Sequence, residues 1–485
     1  MRKQALKMIV LIAGLGVGFT YLLGGCTEDE EPVLETFWCY DFKNEESYQI
    51  EAELKGTGTH CKLYLEQNTS SRIAITAEII ADICQNFDDI YQINRSCFGE
   101  EPNPGVDNDP QITLLLLDIR DNYDPDTYRA YVAGYFESFD CFTQEQLENA
   151  GFQDVKTNAR EMFYMDVDPA IAGSNTFMST LAHEFQHMIN FNQKCILPQT
   201  YDPGEEIWLN EAMSELAPFL CGYGPKYSRV NLYLSDPDSY GLTTWSGVLE
   251  DYAQSMMWSM YVYDRLALNV ISDMVKLPPD GIPRYGLEAV EYSLEKNVPL
   301  SEGITDFDDL YTEWNMTVLL DSLQIPIEPW HYHSIELHGE HDGYTLNGVT
   351  MSHGSKSVGQ LDAWAHRFFS CTPATAVSFI PVNGSASAFF SGSDQSGLVW
   401  DMLPDQWYSV THKGFAVARN PGNVFISEAG YYNWTSSIAP TQNRRQKSQH
   451  ELINEIYELS GQPVPLDVGW KIQARFHQLA LNKKL

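Results

Sequence analysis

Apolar and polar positions change period several times along this chain, and each change marks an element. From Glu46 to Gln67 apolar residues alternate with polar ones (Tyr48, Ile50, Ala52, Leu54), the chain turns at GTGT, and the alternation resumes. A period of two puts successive side chains on opposite faces, so the stretch predicts a β-hairpin. Between about residues 71 and 94, Ile73, Ile75, Ile79, Ile80 and Ile83 follow helical spacing. The run ITLLLLDI from Ile112 is apolar but for Thr113 and Asp118, as expected of a strand buried on both faces. YVAGYF from Tyr131 and MFYMDV from Met162 are further strand candidates. Helical periods then take over. They predict helices over about 175–193, from near Glu205 to before Pro218, from near Asp251 through MMWSMYVYDRLAL, and over about 287–296 and 305–321.

After about residue 335 the texture changes to Gly, Ser, Thr and short alternating runs (VSFIPV, SASAFF, GFAVAR, NVFISEA) that last to about residue 438. That pattern predicts a β-sandwich-like module over 336–438. The last stretch, 439–485, is polar with one amphipathic run, HELINEIYELS, and has no assigned place. The fold class is therefore α+β: a strand-and-helix region over 46–335 followed by a β-rich C-terminal domain.

The N-terminus adds a destination. Arg2, Lys3 and Lys7 precede the apolar run MIVLIAGLGVGFTYLL, which ends at Leu23-Gly24-Gly25-Cys26. A small residue before cysteine, with leucine shortly upstream, resembles a bacterial lipobox. Residues 1–25 then read as a lipoprotein signal peptide, and Cys26 as the lipidated first residue of an exported, membrane-anchored chain. The acidic residues that follow predict a solvated tether over 26–45. A formal net charge of −36 argues against nucleic acid, whose phosphates need Lys and Arg. Eight cysteines follow Cys26, enough for up to four disulfides in an exported chain, and none forms a CxxC pair of the kind thiolate zinc sites use.

The chemistry concentrates in TLAHEFQHMINF. His183 and His187 stand at i and i+4, on one face of a helix, where both imidazoles can meet one zinc ion. Glu184, one step round, can reach the attacking water as general base. Phe177, Leu181, Phe185, Met188 and Ile189 give the same helix a buried side. Catalytic zinc takes three protein ligands and keeps one position open. Asn190 and Gln193 occupy the places where an HExxHxxGxxH site needs Gly and His, so the third ligand must come from elsewhere. WLNEAMSE, from Trp208, offers Glu211, 24 residues after His187. Glu215, one turn later, and Asn210 are candidates to orient a ligand histidine through its other ring nitrogen.

HEFQH followed by NEAMSE resembles the glutamate-zincins, the thermolysin-like and aminopeptidase clans. It is most similar to the hyicolysin-type bacterial neutral zinc peptidases over about residues 70–270. The resemblance implies a zincin-like catalytic domain, a twisted sheet and a helical half, over 46–335. It implies His183, His187 and Glu211 as zinc ligands, Glu184 as catalytic base and a polypeptide substrate. The aminopeptidase spacing, with eighteen residues between HExxH and the glutamate, would instead select Glu206, which lacks the NE context. Tyr252 opens a hydrophobic helix in a way similar to the aminopeptidase tyrosine that contacts the oxyanion; a boundary tyrosine would look the same. VAGYF is expected to be an edge strand that aligns the peptide.

Weaker signals are a histidine tract (His331, His333, His338, His341) and acidic loops at Asp107 and Asp121. Calcium would use such oxygens, but neither loop follows EF-hand spacing, and solvated turns are the plainer reading. The aromatics of the β-rich region, Trp364 and Phe368 among them, read as core. An inactive zincin scaffold serving as a surface adhesin or binding lipoprotein is the alternative to a zinc peptidase.

Overall fold

The computed structural model describes residues 34–200, 204–237, 240–325, 328–353 and 364–371, with strands at 377–379, 385–390, 397–402, 408–410 and 414–419 and a last segment at 463–467. The signal-peptide, Cys26 and tail assignments lie largely outside these residues. No helix among the described residues is long and apolar enough to cross a membrane.

The first strands are β1 (Leu34–Asp41), β2 (Glu46–Thr57) and β3 (Cys61–Glu66). β2 and β3 form the expected hairpin, in antiparallel register from Ala52↔Glu66. β1 lies inside the stretch expected to be tether. Phe37, Cys39 and Asp41 alternate inward, and that period outweighs the acidic residues just before it. Next come α1 (Ala77–Phe98), β4 (Ile112–Leu117), β5 (Ala130–Phe136), the short α2 (Gln144–Asn149) and β6 (Met162–Asp166). α1 starts later than its isoleucine spacing suggested, because the Thr76 hydroxyl caps it by accepting from Ile79 N.

One seven-stranded sheet runs in the order β1-β2-β3-β4-β6-β5-β16, where β16 is the C-terminal segment Val464–Asp467. β3, β4 and β6 are parallel and the β5/β6 pair is antiparallel. β4 is buried at every residue, Thr113 included, as its largely apolar run required. Ile112, Leu114 and Leu116 join the main core, while Leu115 and Leu117 join a second cluster with Phe37, Ile50, Tyr64, Tyr135 and Tyr164. The second cluster exists because the sheet curls. Tyr40 N donates to the Tyr135 hydroxyl at 3.1 Å, so β1 meets β5 across the concave face.

The helical half is α3 (Asn175–Phe191), α4 (Ile207–Leu220), α5 (Tyr227–Ser235), α6 (Leu249–Arg265), α7 (Leu268–Val275), α8 (Gly286–Asn297) and α9 (Phe307–Ser322). A π-helical turn, Asn192–Ile196, follows α3. The α4 helix does not stop before Pro218. The proline sits in its last turn, where only one intrahelical bond is lost.

The β-rich region begins with a hairpin, β7 (His338–His341) and β8 (Tyr344–Asn347). It continues with β9 (Ser352–His353), β10 (His366–Cys371), β11 (Val377–Phe379), β12 (Ser385–Phe390), β13 (Gly397–Met402), β14 (Tyr408–Val410) and β15 (Gly414–Arg419). Five of these form one sheet, β13-β12-β15-β10-β9, and β11 pairs with β14. The join to the helical half is intimate. Leu337, Tyr344, Leu346, Val349, Trp364 and Phe368 belong to the same apolar core as α3, α4 and α6. His366 is fully enclosed, with Nε2 2.8 Å from the Tyr233 hydroxyl and Nδ1 2.8 Å from that of Tyr311, and burial pushes its imidazole down to about 3. It is a neutral structural histidine.

The expected open edge at VAGYF is not open. β5 pairs on its outer side with β16 in parallel register, Val464↔Ala130, Pro465↔Tyr131 and Leu466↔Val132. Cys39, Cys61, Cys84, Cys97, Cys141, Cys195 and Cys221 are free thiols, so none of the disulfides the count allows is formed among the described residues.

Candidate metal centre

α3 begins at Ser174, whose hydroxyl accepts from Phe177 N at 3.2 Å. From that start the 3.6-residue period sends Phe177, Leu181, Phe185, Met188 and Ile189 into the core beneath the sheet, and turns His183 and His187 the other way, toward α4. α4 is oriented by Trp208, Leu209, Ala212, Met213 and Leu216, all buried, which leaves Asn210, Glu211, Ser214 and Glu215 along α3.

His183 Nε2 and His187 Nε2 lie 3.0 Å apart. Glu211 Oε2 is 3.4 Å from the first and 3.6 Å from the second. These three are the one set of His, Cys, Asp or Glu side chains among the described residues whose ligand atoms gather closely enough to share an ion. Zinc with bonds of about 2.0–2.1 Å in a tetrahedron separates its ligand atoms by about 3.3 Å. The triangle of 3.0, 3.4 and 3.6 Å fits that edge length. The donor chemistry, two imidazoles and a carboxylate, suits zinc too.

The hydrogen bonds assign the tautomer of His187. Its Nδ1 stands 3.2 Å from Asn210 Oδ1 and 3.0 Å from Ser214 Oγ. Ser214 Oγ is in turn 2.5 Å from Gln186 Oε1 and donates there. The Ser214 oxygen therefore accepts from Nδ1–H, which leaves Nε2 unprotonated and turned toward His183. Asn210, which the sequence offered as a candidate partner for a histidine of the pair, lies within hydrogen-bond distance of His187 Nδ1. Ser214 and Gln186 were missed, although Ser214 stands one turn after Asn210 on the same face.

Glu215 is buried within electrostatic reach of His183. Burial alone would raise its carboxyl, but Lys226 and Arg229, with His183 after them, outweigh burial and hold it below the usual carboxylate range. Lys226 Nζ is 3.0 Å from Glu215 Oε2. Neither basic residue carries a sequence signal, because α5 was not foreseen. Arg229 also stacks over the Tyr252 ring at 5.2 Å, and Trp245 meets that ring edge-on at 4.9 Å. Tyr252 is 2% exposed, on the first turn of α6, enclosed as a boundary tyrosine would be.

Glu206 is elsewhere. It is the N-cap residue of α4, its Oε2 accepts from Trp208 Nε1 at 2.6 Å, and its carboxyl fills the space a side chain at Gly286 would need. The histidine tract is dispersed as well. His331 Nδ1 pairs with Asp321 at 2.5 Å, and His338 and His341 bond to the main-chain carbonyls of Ser322 and His338. In the acidic loops, Asp107 Oδ1 accepts from Asp109 N and Asp121 from Tyr123 N and Val132 N, so both carboxylates close local turns.

A His-His-Glu group held between two helices beside a curled mixed sheet fits a zinc peptidase. A scan against models of known protein families finds no match. Among characterised proteins, the chain is similar to a neutral metalloprotease, ShpI, of Staphylococcus hyicus: 27% identical over 297 residues, covering 56% of this chain and 61% of that protein. The aligned part is less than two thirds of the relative's length, and the similarity supports a metallopeptidase.

Proposed function

We propose that this protein is a zinc-dependent peptidase that hydrolyses peptide bonds without a covalent enzyme intermediate. The observation that carries the reading is the convergence of His183 Nε2, His187 Nε2 and Glu211 Oε2. These three residues would hold the ion, which when bound supplies Lewis-acid polarisation of a substrate carbonyl and increased acidity of water.

Everything else is done by side chains of this chain. Glu184, 1% exposed and about 100° round α3 from His183, takes the proton of the attacking water on its carboxylate and delivers it to the leaving amine. Asn210, Ser214 and Gln186 fix the ring of His187, and Glu215, braced by Lys226 and Arg229, steadies His183. Tyr252 is the proposed oxyanion donor. The curled sheet lies along α3, and the β5 edge that would align an extended polypeptide carries β16. Export and lipid attachment at Cys26, which would put this activity at the bacterial envelope, belong to the same reading.

The test is a paired measurement on the chain without its first 26 residues: zinc content, and cleavage of unfolded casein with and without a chelator. One zinc per chain with chelator-sensitive cleavage supports the peptidase. Zinc without cleavage favours the adhesin or binding scaffold. A chain that neither holds zinc nor takes it up refutes the reading.

A further inference from the structure

Without the C-terminal segment β16, β5 would be the outermost strand of the sheet beside α3. The two are pressed together: a Cβ at Gly134 would come within 2.9 Å of Tyr164 O and 3.0 Å of Thr180 Cγ2, and Thr180 precedes His183 by one turn. An unpaired edge of this kind recruits an extended chain by main-chain pairing. In this molecule the recruit is its own C-terminal segment. Val464 N donates to Arg129 O at 2.8 Å, and β16 runs parallel to β5 from Val464↔Ala130 to Leu466↔Val132, with a register shift before Asp467↔Gly134.

The pairing is firm enough to form and weak enough to release. One side chain anchors it: Val464 is 3% exposed and belongs to the main core, while Leu466 is half-buried against it. Against this, β16 has only four residues. Parallel ladders are also slightly weaker per residue than antiparallel ones. The inner side of β5 has separate partners, Asp121 Oδ2 for Val132 N and Met165 opposite Gly134. Detaching β16 would leave the rest of the sheet paired.

We infer that residues 464–467 compete with an extended polypeptide for the outer edge of β5, so that the protein holds its own substrate-aligning edge in a self-occupied state. The effect on turnover rests on the peptidase reading; the competition for the edge does not. A strand edge takes one partner at a time, so substrate affinity falls by the fraction of molecules in which the edge is free. A free fraction of about one tenth lowers it about tenfold.

The experiment uses the full mature chain. Leu466→Pro removes the amide that, two residues after Val464 N, faces β5 in the same way. With zinc content unchanged, Leu466→Pro should raise kcat/KM on unfolded casein by about tenfold, chiefly through KM. A labelled peptide of residues 460–470 should bind this variant more tightly than the unaltered chain, and unfolded casein should displace it. Val464→Ser, a milder change, is the companion should Leu466→Pro fail to fold, with a smaller shift in the same direction. If folded variants keep the original KM, or if peptide and casein bind without displacing one another, the inference is overturned. If displacement occurs and nothing is cleaved, the competition stands and the peptidase reading falls.

Discussion

Glu211→Ala is the sharpest perturbation of the proposed centre, because a rival glutamate on the same helix provides the control. The Glu211 carboxylate is fully buried, with Oε2 3.4 and 3.6 Å from the two imidazoles. Its loss removes the one negative charge of the donor set and leaves two neutral ligands. Changing an outer partner of a ligand typically costs about 10–100-fold in metal affinity. Losing a ligand should therefore cost more than ~100-fold, or more than ~2.8 kcal/mol. Glu206 is five residues earlier, which on an α-helix is about 140° round the axis and about 7.5 Å along it. Its carboxyl already serves Trp208 Nε1. Glu206→Gln should leave zinc affinity within about twofold, well under the 1.4 kcal/mol of a tenfold change. Competition titration against a chromogenic chelator, with elemental analysis of the purified variants, measures both. Full zinc affinity in Glu211→Ala together with loss in Glu206→Gln would refute the assignment and move the third ligand to Glu206.

Three further outcomes are expected. Glu184→Gln should keep one zinc per chain and lower kcat by about 10²–10⁴-fold, the usual worth of a positioned general base; loss of the metal in that variant would contradict the role. Asn210→Ala should weaken zinc binding by about 10–100-fold while the Tm of the metal-free chain changes little, and an unchanged affinity would show that Ser214 alone fixes His187. Glu161 governs a pH effect on stability. Burial pushes its carboxyl up from 4.5 to about 7, so the folded state keeps a proton that the unfolded chain has released. Stability from this group is full below about pH 4.5 and declines as pH rises to about 7, by ~3 kcal/mol in all. Glu161→Gln should flatten that part of the urea-midpoint curve, and an unaltered slope would show that the decline comes from another group, such as Asp140 or Asp251, both raised to about 6 chiefly by burial.

Periodicity in the sequence carried the central elements. α3 and α4 were legible because each has a continuous apolar side and a motif on the opposite face. β4 was legible because a run of four leucines beside Ile112 and Thr113 suits a strand buried on both sides. α2, α5 and α7 have only six, nine and eight residues, and too few turns for a period to stand out. With α5 unseen, Lys226 and Arg229 could not be connected to Glu215. β1 had a readable alternation, hidden by the acidic run beside it. β16 has no pattern of its own: four residues with a proline become a strand only because β5 offers an edge. The His183, His187 and Glu211 cluster was legible as a motif, and the contacts of His187 with Asn210 and Ser214 emerged only from packing.

The enclosure of Trp364 and His366 bears on how the protein is made. Trp364 meets Phe307 edge-on at 4.6 Å and its carbonyl accepts from the Tyr311 hydroxyl, while His366 bridges Tyr233 and Tyr311. Residues beyond 360 thus complete the packing beneath α5 and α9. A chain emerging N-terminus first from a ribosome or translocation pore holds the whole HEFQH and NEAMSE region outside well before that wall exists. The helical half should then wait, incompletely packed, until the start of the β-rich region arrives. Pulse proteolysis of stalled nascent chains should show protection of the α9 segment rising between lengths of about 350 and 400 residues. Vectorial synthesis would by this route delay completion of the helical half until most of the polypeptide has cleared the exit.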